Sequence, residues 1–328
     1  GFTSVAALPV VQPEILRDQT AHSREFPTRV LPVGALTTDG AALAEMGLLI
    51  EAGAVAISQG RMPISDSASL RNALSYAARF GRPVFLRATD ASLEKNGVVR
   101  QSVRGHQVGL PQVPPQAEAI GVWQAAHLAG LSGARVHLTH LSTTLGVEAL
   151  RGARAAGLPV TGSTTAMHLG VDDVSPYSGL SRLTPPLGGH EDRAALGYGL
   201  QDGTLVAVAT DHRPYAPVHQ HVPIAAAAAG AIGFETALSL TLAALEGPEA
   251  IRVLTAGPAS VLGISASLSV GSPADVVVVD PNEEWCFRAE DDAASADNSP
   301  LEGRTMRARV THVWVAGCPV VTPRSQTR

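Results

Sequence analysis

Runs of small and β-branched apolar residues recur along the chain, each followed by a stretch of helical periodicity. The runs that predict strands are Phe2–Leu8, Arg29–Gly34, Ala54–Ser58, Pro83–Arg87, Arg135–His140, Pro159–Gly162 and Leu205–Thr210. Between them the pattern predicts helices over Gly40–Ala52, Ala68–Phe80, Gln116–Leu131, Thr144–Ala156 and Glu191–Leu200. Ser67 reads as the N-cap of the second, and Gly81 and Gly157 as helix terminators. Apolar strands separated by helices require parallel pairing and right-handed crossovers. The expected fold is therefore α/β: a (β/α)8 TIM-like barrel lacking its first strand, with a doubly wound open sheet as the rival. The barrel is favoured because several successive runs end in polar residues, as strands converging on one mouth would.

Past Pro258 the pattern changes to short β runs separated by turn residues, at Asp275–Asp280, Trp285–Phe287, Ala308–Val315 and Val320–Val321. The barrel is accordingly assigned to residues 1–257, and 258–328 to a segment of a small β-rich appendage. Gly1 already lies in a strand pattern, so the fold is expected to extend upstream of it.

Composition narrows the function classes. Of 328 residues 16% are charged, the net charge is −5 and no basic cluster appears, which argues against nucleic acid as a partner. The two cysteines, Cys286 and Cys318, form no disulfide framework, so a reducing cytoplasm is the expected compartment. The richest apolar stretch, Val222–Leu245, is interrupted by Pro223 and Glu235 and reads as a loop and a core helix, not a membrane span. His219 and His221 read as a solvated loop pair, and Glu290–Asp292 as acidic surface.

Candidate chemistry sits at the strand ends. The run VAVATDHRPY (Val206–Tyr215) stops at Asp211, and RVHLTHLST (Arg135–Thr143) carries His140 at the same point of an earlier strand. Strict alternation places His137 and Thr139 on one face and Leu138 and His140 on the other. An imidazole and a carboxylate at two strand ends could form half of a divalent-metal site. Two unrelated polar strand ends, with Asp211 capping the next loop, explain the same residues equally well.

The order of segments resembles the class I dihydroorotases of the amidohydrolase superfamily. The motifs that carry the resemblance include GFTSVAALP, GLLIEAGAVAIS, SLRNALSYAARFGRPVF, VGLPQVPPQAEAI, VHLTHLST, LTPPLGGHEDRAALGYGLQDGTLVAVATDH and GSPADVVVVDPNEEW. It runs in order from Gly1 to about Val321 and implies a metal-dependent barrel. The implied reaction is cyclisation of N-carbamoyl-aspartate to dihydroorotate, by metal-bound hydroxide and a strand-8 carboxylate that shuttles the proton.

Position by position, the resemblance carries few functional groups. The family's two strand-1 histidines would precede Gly1. Gln59, in Ser58-Gln59-Gly60-Arg61, stands where the family places an aspartate ligand, and Arg87 where it places a histidine. A neutral amide offers no anionic oxygen, and a guanidinium repels a cation. The family's Asp-His-Ala-Pro-His is here Asp211-His212-Arg213-Pro214-Tyr215, so Tyr215 replaces a substrate contact. Its Met-Pro-Asn-Thr is Leu8-Pro9-Val10-Val11, and its Thr-Pro-His-His is Thr165-Ala166-Met167-His168. His140 and Asp211 are the remnant ligands, Asp211 being also the family's proton shuttle, here expected to be idle. If Arg87 swings into the mouth, its guanidinium could pair with Asp211 and take over the electrostatic role of a metal; Tyr215, Arg87 and the Gly230 N–H remain as substrate-binding candidates.

The resemblance thus implies a degenerate, non-catalytic member that associates with aspartate transcarbamoylase in pyrimidine synthesis. It holds no zinc unless an N-terminal segment completes the site, and self-association is left open. An active zinc dihydroorotase completed by that segment is the first alternative. An amidohydrolase binding another anionic substrate through Arg87 and Arg213 is the second.

Overall fold

Seven parallel strands follow one another in chain order: β1 (Ser4–Val10), β2 (Arg29–Ala35), β3 (Ala56–Ser58), β4 (Val84–Arg87), β5 (Val136–Thr139), β6 (Val160–Thr165) and β7 (Ala207–Ala209). Each is paired with the next. A doubly wound sheet reverses its strand order at a switch point. This sheet has no reversal and curls as the wall of a TIM-like barrel. The computed structural model describes residues 2–38, 42–60, 63–172, 177–292, 294 and 296–321.

The described helices are α1 (Pro13–His22), α2 (Met46–Glu51), α3 (Ser67–Ala77), α4 (Gln116–Ser132), α5 (Thr144–Ala155), α6 (His190–Gln201), α7 (Ala237–Ala244), α8 (Gly247–Leu254) and α9 (Ala256–Leu262), besides several single turns. One face of the sheet packs on them: Val84, Leu86, Val136 and Leu138 share a buried cluster with Leu70 and Leu74 of α3, Val122 of α4 and Leu150 of α5. The alternate residues Phe85, His137 and Thr161 lie in register on the other face, with the Phe85 and His137 rings 5.4 Å apart. No described helix is long and apolar enough to cross a membrane.

Local details depart from the sequence reading. The cap of α3 is Asp66, whose carboxylate accepts from the Ser69 N–H at 2.7 Å, and Ser67 is the first helical residue. Gly81 does terminate that segment, in the left-handed conformation. Helix α1 has no counterpart in the reading. Residues 40 and 41, within the expected helix Gly40–Ala52, lie outside the described residues. Ala42–Leu43 instead pair with Thr37–Thr38 in a small antiparallel ladder, and the helix begins at Met46.

The C-terminal part is an antiparallel sheet of β8 (Val276–Cys286), β9 (Thr305–Val315) and β10 (Cys318–Val321). Strands β8 and β9 are longer than the short runs expected. Irregularities in register after Val278 and Asp280 carry β8 through Pro281 and Asn282, which read as a break in the sequence. Arg29 at the start of β2 donates from Nη2 to Asp275 Oδ1 at 2.8 Å, and Ser239 of α7 donates to the Ala308 carbonyl of β9 at 3.0 Å. These bonds tie the sheet to the barrel wall. The expected boundary at 257/258 falls within α9.

Candidate functional site

The mouth is built on the loops that follow β5 and β7. His140 has φ +61° and Asp211 φ +44°, both in the left-handed region. Asp and His enter it more often than most residues, but the surroundings must hold them there. The consequence overturns the alternation that grouped His140 with Leu138. The backbone turns at His140, so its imidazole faces Asp211 while Leu138 stays with the helices. His140 Nε2 lies 3.7 Å from Asp211 Oδ1, with both side chains largely buried. The two strand ends therefore converge, as expected.

Asp211 already has a cation. Arg213 Nε donates to the same Oδ1 at 2.6 Å. The role open to Arg87 had it swung in is thus taken by Arg213, and the Arg87 guanidinium pairs with Glu94. The turn Ala91–Glu94 brings Glu94 there and is capped by Asp90, which accepts from the Ser92 and Leu93 N–H groups. Arg87 nevertheless stays near the mouth: it is in register with Thr139, and its charge acts on His140. Burial chiefly, then Arg213 and Arg87, lower the His140 pKa, and Asp211 opposes them. Gln59 follows β3, its N–H on the Phe85 carbonyl, two strands from β5. Arg61 of the same turn lies outside the described residues. Both guanidiniums proposed to bind a substrate anion hold a carboxylate of the chain itself.

These residues do not fit the metal that the resemblance implies. A catalytic zinc takes about three protein donors, and among the described residues no group of three His, Cys, Asp or Glu side chains could hold an ion. A ligating histidine normally anchors its second ring nitrogen, whereas His140 Nδ1 is buried without a hydrogen-bond partner.

Gly230 and Tyr215 stand together, since a Cβ on Gly230 would lie 3.0 Å from the Tyr215 ring. The Gly230 N–H, a candidate for a substrate, is instead donated to the Arg182 carbonyl at 2.8 Å. The residue that organises this side was not foreseen. Asn298, fully buried, donates from Nδ2 to the Arg213 carbonyl at 2.7 Å and the Gly230 carbonyl at 3.0 Å, and accepts from the Tyr215 N–H at 3.0 Å. Nothing in the pattern around Asn298 marks it for this role. His221 of the loop pair meets Asp297 at 2.8 Å on the surface.

A second unforeseen element holds the His140 loop. Glu118, at the start of α4, is 4% exposed and accepts from the backbone N–H and hydroxyl groups of both Ser142 and Thr143. Arg100, also buried, donates to Ser142 Oγ at 2.6 Å and the Pro186 carbonyl at 3.2 Å. A cavity of about 890 Å3 lies between β1, α8, α9 and β8 and is lined by none of these residues.

Two further imidazoles are structural. His137 bonds Thr161 and Ser163, and His168 bonds Thr165 and the Pro185 carbonyl. Burial pushes His137 down to about 3, helped by the charge of His140, and pushes His168 down to about 4 against the raising effect of the Pro185 carbonyl. Unfolding restores ordinary values near 6.5, so the unfolded chain takes up protons that the native state refuses. Stability is then fully present above pH 6.5 and falls as pH drops toward 4, by up to about 1.4 kcal/mol per pH unit for each group. Urea midpoints are expected to decline from pH 6.5 to 5, above the range of ordinary carboxylates, and a flat profile there would contradict this assignment.

Residues 5–320 match the amidohydrolase family. The chain is 39% identical to a dihydroorotase from Anaeromyxobacter dehalogenans, over 97% of this chain and 77% of the relative. It is 35% identical to a dihydroorotase from Citrifermentans bemidjiense, over 97% of this chain and 78% of the relative. Among solved structures it resembles the L-hydantoinase of Arthrobacter aurescens, with a TM-score of 0.86 at 19% identity over 98% of this chain and 78% of that one. It also resembles the dihydropyrimidinase of Brevibacillus agri, with a TM-score of 0.80 at 18% identity over 98% of this chain and 77% of that one. At such identities the structural likeness speaks for the fold alone.

Proposed function

Because the chain belongs to the amidohydrolase family, and within it to the dihydroorotase family, we propose that it is a degenerate dihydroorotase serving pyrimidine synthesis by association instead of catalysis. The observation that carries this reading is the donor set of the mouth. His140 and Asp211 meet there, with Gln59 and Arg87 at two positions where the resemblance places metal ligands. Metal-assisted hydrolysis needs an ion to lower the pKa of water and polarise the carbonyl, and two donors are too few to hold one. The packing motifs are kept while ligand positions are exchanged, which is the pattern expected when a surface is the useful part.

The partner we propose is aspartate transcarbamoylase, in the cytoplasm and without zinc in this chain. A stable assembly of this kind buries at least about 1,200 Å2. Co-purification of the complete natural chain with aspartate transcarbamoylase, together with a dihydroorotase assay, tests the reading. Binding without turnover is expected. Turnover at ordinary enzyme rates, on the order of 1 s−1 or more, abolished by Asp211→Ala, would favour the active alternative, since His140 and Asp211 still meet as ligands would.

A further inference from the structure

We infer that Arg213 is a built-in cation that keeps a divalent metal out of the mouth, so that the missing ligands are only part of why the site is closed to one. The inference deepens the degenerate-site reading and rests on it. Arg213 Nε donates to Asp211 Oδ1 at 2.6 Å, and His140 Nε2 is 3.7 Å from that same oxygen. A carboxylate ligand sits roughly 2 Å from its metal, so an ion shared by His140 and Asp211 would lie against the guanidinium. Arg213 and Asp211 side chains are only 15% and 14% exposed, and repulsion there is weakly screened.

The guanidinium is also held in place. The Arg213 N–H is donated to the Ala231 carbonyl at 2.8 Å, and its own carbonyl accepts from Asn298 at 2.7 Å. Its stem runs across the bare face of Gly230, where a Cβ would lie 2.7 Å from Arg213 Cβ and 3.0 Å from its Cδ. Gly230 has φ +153° and no side chain, which leaves the slot open for that stem. The resemblance places an alanine at this position, too short to reach Asp211. One substitution therefore both cancels the charge of the remnant carboxylate and fixes a positive charge beside it.

The test separates charge from ligand count. Zinc binding, read by equilibrium dialysis with elemental analysis, and cobalt binding, read by its visible spectrum, are compared in purified chains whose folding is checked by circular dichroism. Gln59→Asp with Arg87→His restores two donors and leaves Arg213 in place. This pair is expected to bind weakly. Adding Arg213→Met, which keeps the stem and removes the charge, is expected to raise affinity by at least about tenfold, as removal of a close like charge predicts. Adding Arg213→Lys instead should leave it low. Arg213→Gln gives the same neutral comparison if the methionine variant does not fold. Tight stoichiometric zinc in the Gln59→Asp, Arg87→His chain, or equal affinities with a neutral residue and with lysine at 213, would overturn the inference. Neither result bears on co-purification with aspartate transcarbamoylase, so the two readings can fail separately.

Discussion

Replacing Glu118 with alanine is expected to destabilise the protein by about 3–5 kcal/mol, a large part of the 5–15 kcal/mol typical of a folded domain. The carboxylate is the common acceptor for Ser142 and Thr143, both fully buried, and its removal leaves their donors unsatisfied. It also removes the carboxylate whose charge most offsets the burial of Arg100. The structure makes room for this group: a Cβ on Gly146 would come within 1.9 Å of Glu118 Oε1. Glu118→Gln should cost less, keeping the shape and one acceptor while turning an amide NH2 toward other donors. Urea titration followed by circular dichroism measures both. Because the loop starts at His140, amide exchange at residues 140–144 should accelerate in the alanine variant ahead of the rest of β5. A loss below about 1 kcal/mol, the scale of one ordinary hydrogen bond, would show that the network is replaced by water.

Asn298→Ala is expected to be the next most damaging change, at about 2–4 kcal/mol, since buried polar groups left unpaired cost about 1–3 kcal/mol each. It frees the Tyr215 N–H and the Arg213 carbonyl, and leaves the Gly230 carbonyl with Gln220 at 3.4 Å. Asn298→Asp keeps an acceptor for Tyr215 but points a carboxylate at two carbonyl oxygens, so it should be no milder. The readouts are the urea midpoint and the exchange rate of the Tyr215 amide. An aspartate variant as stable as the natural chain would remove Asn298 from this role.

How far the site was legible depended on the range of each interaction. The end of β7 could be placed from its apolar run alone, because burial of a parallel strand favours continuous apolar residues and the first polar ones mark its exit; β5, with His137 inside it, was placed by alternation. The facing of His140 could not be placed this way. Alternation holds only while φ stays extended, and a single left-handed residue at the strand end breaks it. The choice of Arg213 over Arg87 for Asp211 was hidden for a related reason. Arg87 lies on a neighbouring strand and looked free to cross the mouth, but Glu94 stands within its reach on the next turn. Asn298 and Glu118 sit far along the chain from the loops they hold, and neither stands in a pattern that marks a partner.

Burial and periodicity, which every residue of an element reports together, were enough to order the parallel strands and most of the helices, α1 excepted. That Gln59 and Arg87 stand where metal ligands would be came from the resemblance, not from the pattern. The tertiary structure alone decided which charge meets which: Arg213 with Asp211, Arg87 with Glu94, Arg29 with Asp275. An ion pair depends on two side chains coming within a few ångströms, and that distance is set by backbone turns at single residues and by packing between segments remote in the chain.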